Sequence, residues 1–179
     1  ALLKSYSATR TDTGASDPNN RNAYILENFI IDATNAVNRD DSWDPNAAIF
    51  KTVSSDLTIS DVYLANISAY ATNQQGSKDG GAAAALVACI WDPTSQSGNA
   101  KPKTLTLKGN ITLDQSAPSL LDDDRKQILG SAAAGGLIGR VGSPYRTDNY
   151  FALADGTLVL KENCNVRING HMFVNSVGD

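Results

Sequence analysis

The sequence predicts a mainly β (α+β) fold: a compact β-rich domain with one or two short helices, two C-terminal hairpins and an extended N-terminal arm. Three observations carry that prediction. Leu105, Leu107, Ile111 and Leu113 lie at even spacings with Thr104, Thr106, Lys108, Asn110 and Thr112 between them, the pattern of a strand with one buried and one polar face. Ala82 to Trp91 is a continuous apolar run ending at Asp92-Pro93, which suits a strand buried on both faces. Asp155-Gly156 and Asn169-Gly170 each stand between apolar runs, and both pairs tolerate the positive φ that a tight hairpin turn demands.

Taken in order, residues 1–22 are rich in Gly, Ser, Thr and Asp, with Leu2, Leu3 and Tyr6 as the sizeable apolar groups. Such a segment cannot bury enough surface alone to offset its ordering entropy, so it reads as an arm that orders only against something else. Residues 23–179 read as one β-rich domain. In its first element Ile25, Leu26, Phe29, Ile30, Ala33 and Val37 recur at helical spacing, while the ILENFII half fits a strand equally well. In LTISDVYLANISAYA, Val62 and Leu64 share one face and Ile67, Ala69 and Ala71 the other register, predicting a strand with a bulge or break near Asn66. Gly109 occupies the apolar register of the alternating strand, predicting a bulge or a close neighbouring backbone there.

Ser119 stands three residues before Asp122, the spacing of a capping box. Leu120, Leu121, Ile128, Leu129 and Ala132 continue at helical spacing, which predicts a helix start. No internal repeat of solenoid or propeller length is visible.

Composition narrows the function. The 179 residues are 41% hydrophobic and 19% charged, with a formal net charge of -4, so the surface is covered largely by Asn, Ser, Thr and Gly. Without a Lys/Arg cluster there is no electrostatic footprint for nucleic acid or an anionic membrane. The longest apolar run is far short of a membrane span, and the chain reads as soluble. Cys89 and Cys164 sit in apolar runs and read as small buried hydrophobes; a disulfide requires their two strands to be neighbours.

The acid clusters do not make a metal site. Asp122, Asp123 and Asp124 are consecutive, and consecutive helical residues point about 100° apart, so the three cannot converge on one ion. They suit the first turn of a helix, where the dipole favours acids. Asp40, Asp41 and Asp44 lie in a turn but lack the alternating ligands and closing glutamate of an EF-hand loop. His171 is the lone histidine, with no nucleophile elbow to serve, and reads as a surface or interface residue. A hydrolase needs two carboxylates from distant segments, such as Asp44 with Asp155, and no spacing supports that pair. Asn66 and Asn110 match the glycosylation acceptor pattern, which arises often by chance in an Asn/Thr-rich chain. Trp43, Trp91 and Tyr145 can stack sugars or partners, although Trp91, ending an apolar strand, reads as core. The expectation is a non-enzyme without metal or cofactor.

From Gly80 to Arg140 the order is a GGAAAA lead-in, the apolar strand LVACIWD, a loop, TLTLKGNITLD, then LL, a helix start and GGLI. This resembles the head-decoration (capsid cement) proteins of tailed bacteriophages, the group typified by the lambda decoration protein. The resemblance covers about a third of the chain. It implies a compact α+β domain and a homotrimer on the outer surface of an expanded virion shell, made in the host cytoplasm and clamping the major capsid protein. Residues 1–22 would be the capsid-binding arm, anchored by Leu2, Leu3 and Tyr6. Trp43, Tyr145 and His171 would lie at the trimer or capsid interface. The chain departs from the compact members by its longer N-terminal half and two further C-terminal hairpins. The alternative is a receptor- or glycan-binding module of a tail fibre or adhesin, which all-β hairpins and polar Asn/Thr faces suit equally.

Overall fold

In the computed structural model, residues 2–11, 23–33, 37–40, 46–53, 56–71, 81–90, 103–116, 126–131, 133–141, 156–170 and 172–176 are described. The chain winds through them in successive coils. After β1 (Leu2–Thr11), the first coil comprises β2 (Ala23–Asp32), β3 (Asn38–Asp40), β4 (Asn46–Ala47) and β5 (Phe50–Val53). The second comprises β6 (Asp56–Ala65), β7 (Ala69–Ala71), β8 (Ala82–Ala84) and β9 (Val87–Ile90). The third comprises β10 (Lys103–Gln115), β11 (Lys126–Gly130), β12 (Ala133–Gly135) and β13 (Ile138–Val141). A last partial coil holds β14 (Gly156–Leu160), β15 (Asn165–Gly170) and β16 (Met172–Ser176).

Each strand pairs in parallel with its counterpart one coil away, giving the orders β2-β6-β10-β14, with β15 also on β10, then β16-β11-β7-β3, β12-β8-β4 and β13-β9-β5. This is a parallel β-solenoid, in which every sheet runs along the axis and the core is a stack of like side chains. The solenoid corrects the reading that the sequence holds no repeat of that kind. Its period is hidden by unequal coils. Leu57 follows its column partner Tyr24 by 33 residues, Leu105 follows Leu57 by 48, and Leu158 follows Leu105 by 53.

The long sheet sets the core. Four inward columns run Tyr24–Leu57–Leu105–Leu158, Leu26–Ile59–Leu107–Leu160, Phe29–Val62–Ile111–Val166 and Ile31–Leu64–Leu113–Ile168. In the middle coils Ile59, Leu64, Leu105, Leu107, Ile111 and Leu113 are buried, each contributing roughly 1.5–3 kcal/mol relative to exposure. The alternation predicted for residues 104–113 is the inward and outward alternation of β10. The mainly β expectation holds as well, and among the described residues there is no helix.

Several local readings change. The ambiguous first element is strand β2, because its Phe29 and Ile31 stack on Val62 and Leu64. The run Ala82 to Ile90 is buried throughout, as expected, yet it is two strands in two sheets with a corner at Ala85-Leu86. That corner is held by its neighbours: Ala85 N donates to Gly136 O and Leu86 N to Leu137 O, both at 3.1 Å. Lys126–Gly130, expected to continue a helix, is strand β11 between β7 and β16. Helical spacing of Leu120, Leu121, Ile128 and Leu129 is thus overridden by the parallel pairing that places Ile128 above Ala69. Ser119 and Asp122 to Asp124 lie outside the described residues.

Asn169-Gly170 is a corner rather than a hairpin: β15 pairs with β10 and β16 with β11, both in parallel. Gly170 has φ +81°, and a Cβ there would meet the Gln115 backbone at 2.6 Å. For the other expected hairpin, residues 151–155 lie outside the described residues, and β14, which follows, pairs in parallel with β10. Residues 2–11 of the expected arm form β1, antiparallel to β2 on the free edge of the long sheet.

Candidate functional site

The outer face of the long sheet is built by a break that recurs in each coil. Asn28, Asp61 and Gly109 all have positive φ, at 56°, 53° and 64°. Asn and Asp are the non-glycine residues that tolerate this backbone most readily. In the last coil the turn Lys161–Cys164 takes the same place, closed by Cys164 N donating to Lys161 O at 2.8 Å, and it divides the strand into β14 and β15. The break shifts the pleat by one residue, so the inward spacing from Leu26 to Phe29 is three rather than two. Asp61 ties the ladder together, its Oδ1 accepting from Asn110 N at 3.1 Å, and the predicted irregularity at Gly109 lies here.

Beyond the break, two outward columns run side by side: Ile30–Tyr63–Thr112–Arg167 and Asp32–Ala65–Asp114–Asn169. Ile30 and Tyr63 are exposed large apolar groups on neighbouring strands. The Tyr63 hydroxyl donates to Asp114 Oδ2 at 2.5 Å. Ser116 donates twice to Asp114 Oδ1, from its hydroxyl at 2.5 Å and its backbone N–H at 3.0 Å.

These bonds set the protonation states. Asp114 is held below its ordinary carboxylate range, first by the Ser116 hydroxyl, then by Tyr63 and the Ser116 N–H. Tyr63 is pushed up, first by donating to Asp114, with burial and the charges of Asp114 and Asp32 adding to it. The result is an aromatic ring with a fixed hydroxyl beside a stable carboxylate. The neighbouring columns supply Arg167 as a cation and Asp32 as a second carboxylate, the latter accepting from Asn66 Nδ2 at 3.0 Å. A further aromatic-cation contact, Arg39 at 5.9 Å from the Tyr70 ring centre, lies on the next sheet.

Trp43, Asp41, Asp44, Trp91, Tyr145, Asp155 and His171 lie outside the described residues. Leu2, Leu3 and Tyr6 are on β1. Asp40 is on β3, where it accepts from Asn46 N and Lys51 Nζ. Asn66 is buried, has φ +57° and donates to Asp32, so it is not presented as a glycosylation acceptor, while Asn110 is exposed at the break. Cys89 is buried and Cys164 half-buried, both as free thiols.

Sequence reasoning missed Tyr63, Asp114 and Ser116. The available signal was Tyr63 as an aromatic on the polar face of a strand, with Asp114 closing the next alternating strand. Among the described residues no group of three or more His, Cys, Asp or Glu converges on a metal position, and no helix is long and apolar enough to cross a membrane. No family model, curated protein or solved structure matches the chain.

Proposed function

We propose that this chain is a non-catalytic binding module whose outer long-sheet face takes up a glycan, the receptor- or glycan-binding reading of a tail fibre or adhesin. The observation that carries it is the Tyr63–Asp114–Ser116 group, set beside Ile30, Thr112 and Arg167. A sugar ring offers an apolar face and a rim of hydroxyls, so it calls for an exposed aromatic surface flanked by fixed acceptors and donors. Because the columns run along the solenoid axis, successive units of an extended chain meet successive coils. Hydrolysis would need a carboxyl kept protonated as a general acid, whereas the bonds to Asp114 favour its ionised form.

Saturable binding to surface polysaccharides, measured on a glycan array and then by calorimetry, tests this reading. Tyr63→Ala should weaken it by about tenfold or more, since an exposed aromatic anchor of this kind is worth about 1–2 kcal/mol or more. Absence of binding to any glycan, or wild-type affinity in Tyr63→Ala, would overturn it.

The second reading is the capsid decoration protein, bound to the major capsid protein as a homotrimer. Support for it comes from β1, an N-terminal strand that joins a sheet by antiparallel addition at a free edge, the pairing mode a shell-clamping arm uses. In that reading the strand exchanges from its own sheet to the shell. Deleting residues 1–22 should then abolish binding to expanded shells, and unchanged shell binding would sink it.

A further inference from the structure

Tyr63 and Tyr70 alternate with buried residues on β6 and β7, and the two rings differ in what they carry. The Tyr70 ring holds a cation of the chain itself, the Arg39 guanidinium at 5.9 Å from its centre. The Tyr63 ring is exposed and, among the described residues, holds none. Its hydroxyl is committed to Asp114, while its π face remains the electron-rich surface that attracts a cation.

Asp114 also lacks a positive partner among the described residues. The hydrogen bonds it accepts come from neutral donors, the Tyr63 hydroxyl and the hydroxyl and N–H of Ser116. These hold the carboxylate ionised without cancelling its charge, and no cation contributes. Arg167, on the next strand, is in register with Thr112 rather than with Asp114 and makes no ion pair with it. On the other side Asp32 adds a second negative field at the Tyr63 hydroxyl. The residue between Asp32 and Asp114 in their column is Ala65, which brings no charge.

We propose that the sugar units this face takes up carry free amino groups, so that an ammonium lies over the Tyr63 ring and against the Asp114 carboxylate. The inference rests on the glycan reading above and narrows it to one substrate class, polysaccharides of deacetylated hexosamine. Ring and carboxylate attract the same cation, one by its quadrupole and the other by its charge, and neither gives up an ionic partner to do so. An N-acetylated unit offers a neutral amide in place of the ammonium. A uronic acid brings a carboxylate to the same place, where Asp114 and Asp32 repel it.

Calorimetry of the full chain with hexasaccharides of glucosamine, N-acetylglucosamine and glucuronic acid tests this in mildly acid buffer, where the amine is protonated. The glucosamine hexamer should bind about tenfold tighter than the other two. Asp114→Asn keeps the side-chain shape and one acceptor oxygen. It should weaken binding of the glucosamine hexamer about fivefold, leave the N-acetylglucosamine hexamer unaffected and preserve the circular dichroism spectrum. Glu162→Gln removes the same charge from the exposed turn after β14, so it controls for general attraction of a polycation and should change nothing. Binding of the N-acetylglucosamine or glucuronate hexamer as tightly as the glucosamine hexamer, or equal losses in Asp114→Asn and Glu162→Gln, rules out the ammonium. Where such binding is lost in Tyr63→Ala, the glycan reading survives that failure. Absence of binding by every glycan class brings down both.

Discussion

Removing the side-chain amide of Gln115 tests whether the corner between the long sheet and its neighbour is held by one hydrogen-bonded group. Gln115 ends β10 and is buried. Its Oε1 accepts from Ile67 N at 2.8 Å and its Nε2 donates to Ile67 O at 2.7 Å, so it satisfies both backbone groups of a buried residue one coil away. Leaving a buried backbone donor and acceptor unpaired costs about 1–2 kcal/mol each, so Gln115→Ala should lose about 3 kcal/mol. For a chain of this size that corresponds to a fall in Tm of about 6–12 °C. Gln115→Leu separates the causes, because it refills the volume but leaves Ile67 unpaired, and it should be about as damaging. Gln115→Glu keeps one acceptor but turns the other oxygen toward the Ile67 carbonyl. Burial and that carbonyl raise the carboxyl's folded pKa above its unfolded value of about 4.3. The stability Gln115→Glu retains is then fully present below the unfolded pKa and lost as pH rises through the folded one. Urea unfolding at pH 7 and at acid pH should show the gap to wild type narrowing in acid. A Gln115→Leu protein as stable as wild type, or a gap independent of pH, would refute the reasoning.

Three other outcomes follow from the geometry. Gly109→Ala should cost about 1–2 kcal/mol from its positive φ alone, and a Cβ there also collides with Asp61 Oδ1. Pairing it with Asp61→Gly should relieve the collision but not the backbone strain; full recovery by thermal melting would show that φ is not the cause. Tyr63→Phe should raise the Asp114 pKa by removing one of the donors that depress it, and carboxyl titration by NMR reads the shift. Because that folded pKa is depressed, the stability linked to Asp114 is present above its unfolded pKa and lost as pH falls through the folded one, and in Tyr63→Phe that loss should be smaller and complete at a higher pH. An unmoved Asp114 would mean that the Tyr63 bond is absent in solution. Burial pushes the Cys89 thiol up to about 11, so a maleimide near neutral pH should label Cys164 in the native protein and reach Cys89 only after unfolding. Equal labelling rates would count against the buried position of Cys89.

Much of the fold was legible because it is written locally. The β10 alternation, the irregularity at Gly109 and the break near Asn66 are each set by neighbours within a few residues, and each stands in the structure where the pattern put it. The helix reading of residues 126–130 failed for the complementary reason. Ile128 and Leu129 fit a helical period, but the sheets on both sides of β11 decide its state. The grouping of the candidate site was not legible. Tyr63 and Asp114 are 51 residues apart and meet only because β6 and β10 lie side by side in register.

The sequence by itself determined that this chain is mainly β, where several of its strands alternate, and which of its residues accept a left-handed backbone. Those are properties of side-chain size and polarity acting over a few bonds. Only the tertiary structure decided that the strands stack in parallel coils and that Asn169-Gly170 turns a corner instead of closing a hairpin. Parallel pairing joins residues 33, 48 and 53 positions apart. Loops of unequal length between coils erase any fixed period from the sequence without disturbing the columns, because the hydrogen-bonded register is set between strands.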